Sequence, residues 1–201
     1  MEWRNVRITP GFFLLMAWLY YCGQGRVAVL AVLASVVHEL AHYVFLRLYG
    51  VRVERLLITA VGAEMTVRGQ MSYIGETISA AAGPISNLLL ARIVLWTAGE
   101  RGYLFAGINL ILAAFNLLPV AGLDGGRCLA CMAEWAIGPN GAERLCRTVE
   151  VAVLTAAVLA GGAIFVFGKN MTGLLASAWL CTNCSCRTRR IKGKRGLSFR
   201  L

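Results

Sequence analysis

The stretch VAVLAVLASVVHELAHYVFLRLYG, residues 27–50, decides the fold. As a helix it spans about 36 Å, enough to cross a bilayer with tilt. It carries His38, Glu39 and His42 among apolar neighbours. Ionisable side chains at membrane depth are expensive and mark function by default. Two imidazoles four residues apart lie on one helix face, one turn apart. That spacing suits two ligands on one metal ion, with Glu39 beside them as general base. The chain holds 2 histidines in all, and both are in this pair. A single buried histidine would read as packing; a pair with a carboxylate between them in an apolar span reads as chemistry.

The rest of the composition agrees with a membrane setting. Hydrophobic residues make up 58% of the 201 and charged residues 15%, against about 25% charged in a soluble domain. Mean hydropathy is +0.67. Too little polar surface is available to coat a water-facing globule, and disordered chains are apolar-poor. Glycine has no three-residue period, which excludes a collagen-like chain. Seven Cys are too sparse for a disulfide scaffold. The predicted class is an α-helical polytopic membrane protein.

Working outward, Pro10 to Cys22 reads as a short first transmembrane helix, because no small-x-small cleavage site follows it. Residues 51–70 alternate apolar and polar side chains, which predicts a small membrane-associated β-hairpin with Gly62 near its turn. Its edge strand could pair with an extended segment; a lipid-facing anchor is the competing role. Thr77 to Ala98 predicts a third helix, kinked at Pro84. Tyr103 to Leu118 predicts a fourth, and Val149 to Gly168 a fifth. Between them, Pro119 to Gly126 cannot continue a regular helix, and 127–147 predicts an amphipathic helix with a turn near 138–141. Met171 to Cys181 is a short sixth candidate, giving about six spans. A membrane domain over 1–182 is followed by a basic tail, 183–201.

Charge sets the orientation. Lys+Arg is 20 and Asp+Glu 10. With six spans, one side holds Arg4, Arg7, the basic residues of 47–68, those of 127–147 and the tail. The other side holds only Arg26, Arg101 and Lys169. The positive-inside rule then puts both termini and the hairpin in the cytoplasm of a bacterial cell. The basic tail fits anionic lipid; no basic, aromatic-interleaved domain is present for nucleic acid.

A catalytic zinc usually takes three protein ligands. Asp124 is the only aspartate in the chain and lies at the end of an apolar span. It is the candidate third ligand; an ion pair with Arg127 is the alternative. Asn87 and Asn116 are candidate donors to a substrate backbone or to the loop, with helix packing as the alternative for each. Cys128, Cys131, Cys181 and Cys184 form two close pairs that could hold a second, structural zinc; ordinary thiols are the competing reading.

His38-Glu-Leu-Ala-His42, then Gly83-Pro84-Ile-Ser-Asn87, then Asn116-Leu-Leu-Pro119 and Leu123-Asp124-Gly125-Gly126 follow in that order. Together they resemble the site-2 protease family of intramembrane zinc metalloproteases, over roughly residues 10–168. The layout is most similar to the stage IV sporulation factor FB type. The resemblance implies that His38, His42 and Asp124 bind Zn²⁺ and that Glu39 is the catalytic carboxylate. It implies regulated intramembrane proteolysis, with a membrane-tethered protein as substrate, a sporulation pro-sigma factor among the candidates. An inhibitory or activating membrane protein is a further expected partner. Two departures stand out: Gly122 occupies a position where the family often has proline, and a basic tail stands where sporulation-type members often carry a CBS domain. Two other classes compete with the enzyme. A catalytically idle homologue that binds a membrane partner would be expected to lack Glu39 or a ligand. A metal transporter would need further ionisable residues along a path through the membrane.

Overall fold

The computed structural model describes residues 6–59, 62–168 and 199–200. The chain divides into two units, Met1–Asn116 with Ser198–Leu201, and Leu117–Leu197.

In the first unit, strand β1 (Val6–Ile8) leads into helix α1 (Pro10–Tyr21). Pro10 sits in the first turn, where its missing N–H costs nothing. No residue of α1 is buried; Phe13, Leu14, Trp18, Tyr20 and Tyr21 are all exposed. Helix α2 (Gly25–Leu48) follows. Its buried side is Ala28, Ala34, His38, His42 and Leu46, while Val29, Leu33, Val36, Leu40 and Val44 face outward. Polar groups inside and large apolar groups outside invert the pattern of a water-soluble helix.

Strands β2 (Arg52–Thr59) and β3 (Gly62–Arg68) form the predicted hairpin. The ladder shifts register between Val53 and Arg55. One extra residue changes the phase of the pleat, so Val53 and Leu56 both pack toward the core although they are three apart. That core joins Leu46 at the end of α2 to Val51, Met65 and Val67 of the hairpin region.

The predicted hairpin is part of a larger sheet. The sheet has four strands in the order β1-β2-β3-β4. Strand β1 lies parallel to β2, from Val6 opposite Leu56 to Ile8 opposite Ile58. Strand β4 (Phe199–Arg200) lies antiparallel to β3 at Thr66 and Val67. The chain's own segments satisfy part of each hairpin edge, as exposed strand edges require.

Helix α3 (Tyr73–Ala98) starts four residues earlier than predicted. The cause is Ser72, whose Oγ accepts from Gly75 N at 3.1 Å and caps the first turn. The helix runs through Pro84 without ending. A 3₁₀ turn at Gly99–Gly102 reverses the chain into helix α4 (Tyr103–Asn116). The buried faces of α3 and α4 are mostly small: Ala80, Ala82, Gly83 and Ala91 on one, Ala106 and Ala113 on the other. Small residues let helix backbones approach closely where no hydrophobic force operates between helices.

The second unit begins with the non-helical loop Leu117–Leu123 and continues as helix α5 (Asp124–Gly168). Asp124 therefore opens a helix rather than lying within a loop, and the predicted amphipathic helix starts three residues early. The predicted turn near 138–141 narrows to Gly138 alone, at φ 74° and ψ 169°. Pro139 fits the first turn of the helical half that follows.

Three helical stretches are long and apolar enough to cross a membrane: Gly25–Leu48, Tyr73–Asn116 (which contains α3 and α4) and Asp124–Ala163. The first predicted span is helical over 12 residues, about 18 Å. The sixth, Met171 to Cys181, lies outside the described residues.

Candidate metal centre and active-site residues

His38 and His42 lie one turn apart on the buried face of α2, 4% and 2% exposed. Their Nε2 atoms are 3.2 Å apart. Two nitrogens each 2.0–2.1 Å from a tetrahedral zinc would lie about 3.3 Å apart. The other ring nitrogen of His42 is committed: Nδ1 donates to the Ser79 backbone oxygen of α3 at 2.7 Å. That bond fixes the tautomer, leaving the Nε2 lone pair for a metal, and holds the ring in orientation. The pair fits zinc by spacing and by donor chemistry.

Gly83 explains how the imidazoles reach this depth. A Cβ at this position would fall 2.7 Å from His38 Nε2 and onto His42 Nε2. Only a glycine lets the α3 backbone lie against both rings. Pro84, 0% exposed Asn87 and 0% exposed Ser79 continue the same face. Glu39 follows His38 on α2 and is half-buried.

In the second unit, Asp124 is 8% exposed. Arg127 Nη1 stands 3.9 Å from its carboxylate, so the predicted ion pair is present in a long form. The loop before it is tightly wrapped. A Cβ at Gly125 would land on Leu117 O, and one at Gly126 on Val120 O. This is why two glycines, poor helix formers, follow Asp124 inside a helix. Leu123 N bonds Val120 O at 3.1 Å, and Ala121 N donates to Glu150 Oε1 at 2.8 Å.

The two asparagines differ. Asn116 Nδ2 donates to Leu112 O of its own helix at 3.0 Å. Asn87 is buried, and its Nδ2 has no hydrogen-bond partner among the described residues. Sequence reasoning missed Asn109, which is equally buried with an unsatisfied Oδ1. It also missed Glu150. The signals were available: an amide within an apolar span, and the one charge in residues 149–168. Cys128 and Cys131 lie one turn apart near the start of α5, while Cys181 and Cys184 lie outside the described residues.

Residues 100–158 match peptidase family M50. The putative zinc metalloprotease Rip3 of Mycobacterium tuberculosis is 32% identical over 200 residues, covering 89% of this chain and 48% of that protein. These matches support the resemblance to peptidase family M50, the site-2 protease family. Stage IV sporulation protein FB of Bacillus subtilis is 25% identical over 134 residues, which are 62% of this chain and 46% of that protein. The solved site-2 protease of Methanocaldococcus jannaschii shares the fold, with a TM-score of 0.67 at 20% identity over 90% of this chain and 89% of that one. The chain spans about half the length of the curated relatives Rip3 and sporulation protein FB.

Proposed function

We propose that this chain is an intramembrane zinc endopeptidase that cuts membrane-tethered proteins within or beside their transmembrane segments. The observation that carries the reading is the His38–His42 pair, spaced for one zinc, with His42 held by Ser79 O. His38, His42 and Asp124 would be the protein ligands; all three are buried and offer zinc-type donor atoms. Bound zinc supplies a water that ionises near neutral pH and polarises the scissile carbonyl. Glu39 would act as the general base toward the attacking water and then as the general acid toward the leaving amine. Asn87, with an unused N–H at full burial, offers a donor to a substrate backbone. Asn116 positions the end of α4 before the Asp124 loop.

The finer reading keeps six spans, both termini on the cytoplasmic side of a bacterial membrane, a protease domain over 1–182 and a tail at 183–201 that meets anionic lipid. Basic residues concentrated at the tail and at 47–68 support it. A membrane protein that inhibits or activates the protease is a further partner. A sporulation pro-sigma factor belongs in the substrate panel because one relative is a sporulation protein. The idle-homologue reading is disfavoured because Glu39 and the ligand set are all present.

The test is cleavage of a panel of membrane-tethered substrates by wild type and Glu39→Gln in matched membranes. Cleavage by wild type alone is expected. Equal cleavage by both would remove Glu39 from the chemistry, and zinc-loaded wild type inert across the panel would favour the binding reading.

A further inference from the structure

Glu150 is an acid at the start of a long apolar run, with no other charge from 149 to 168. A carboxylate there is costly unless it is hydrogen-bonded. Its Oε1 accepts the backbone N–H of Ala121 at 2.8 Å. Ala121 lies three residues before Asp124 in the loop that opens α5. Helix geometry explains how residues so distant in sequence meet. From Asp124 to the break at Gly138 the helix rises about 21 Å, and from Gly138 to Glu150 it runs about 18 Å. The near-equal arms return Glu150 to the level of the loop.

Within the loop, Val120 N donates to Leu118 O at 2.8 Å and Leu123 N to Val120 O at 3.1 Å; the Glu150 bond ties the loop to a distant part of α5. Gly122, beside Ala121, has φ 112° and is exposed. Such a residue has a wide choice of conformations. The Ala121–Glu150 bond is charge-assisted, hence stronger than a neutral one. We propose that Glu150 is a positioning residue: its carboxylate holds the Leu117–Leu123 loop by the Ala121 N–H and so sets where Asp124 presents its oxygens. The inference rests on the zinc reading above for its consequence, and on the loop geometry alone for its structural part.

Two substitutions separate reach from charge. Glu150→Gln keeps an acceptor at the same distance and loses the charge. Glu150→Asp keeps the charge and withdraws it by one methylene. Hydrogen exchange of the 117–123 peptide and zinc affinity by chelator competition are measured on the full chain in detergent. The Asp variant is expected to exchange faster at the loop and to lose about 10–100-fold in zinc affinity, the usual effect of an outer support to a ligand. The Gln variant, which keeps the acceptor and loses the charge, is expected to fall between wild type and the Asp variant in both. Wild-type behaviour of both variants would overturn the proposal, as would a weak Gln variant beside an unaffected Asp variant. Wild-type protein that binds no zinc would overturn the metal reading instead, while loop exchange would still decide whether Glu150 holds Ala121.

Discussion

At Gly83 the backbone of α3 meets two imidazoles, and the missing Cβ is what makes room. Gly83→Ala should displace both rings and weaken zinc binding by about 10–100-fold, read by chelator competition. Ser79→Ala is the matched control. His42 is held by the Ser79 backbone oxygen, and the Ser79 hydroxyl has no partner among the described residues. Its zinc affinity should equal wild type. Asn87 separates function from packing. Its Nδ2 is buried without a partner, a state that costs about 1–3 kcal/mol. Asn87→Leu should therefore keep or raise the melting temperature while lowering cleavage by about tenfold or more, as expected for a lost donor to reacting groups. A fall in melting temperature with cleavage unchanged would assign Asn87 to packing.

Elements place these residues, and the glycines at their ends set the geometry. Gly138 sits at φ 74° and ψ 169°, a region essentially closed to other residues. Gly138→Ala should cost about 1–3 kcal/mol, seen as a lower melting temperature in detergent. Gly125→Ala should be worse for function, because its Cβ would land on Leu117 O beside Asp124. Cleavage should fall even where the protein still folds. The zinc-type histidine spacing, the hairpin and the loop before Asp124 were all legible, because each is a local pattern of a few residues. The β1–β2 and β3–β4 pairings were not, since strand partners distant in sequence leave no periodic trace. Nor was the α5 start at Asp124. Two following glycines argue for a loop by propensity, and only the wrapped carbonyls of Leu117 and Val120 show why they sit in a helix.

For the whole molecule, exposed apolar residues lie on all three long helical stretches, and buried polar ones line the first two. Val36, Leu40, Trp96, Ile111 and Leu159 face outward while His38, His42, Asn87 and Asn109 are buried. A bilayer is the solvent such a surface fits. The basic residues at 47–68 and in the tail should be reachable by membrane-impermeant reagents from the cytoplasmic side alone; labelling of single-cysteine variants from the outer side would reverse the orientation. His38, His42 and Asp124 are proposed to hold one zinc for Glu39 to use. The most direct test is metal analysis of detergent-purified wild type, Glu39→Gln, His42→Ala and Asp124→Ala. About one zinc per chain is expected in the first two and a large loss in the last two. Full zinc in His42→Ala and Asp124→Ala, or none in wild type, would contradict the proposal.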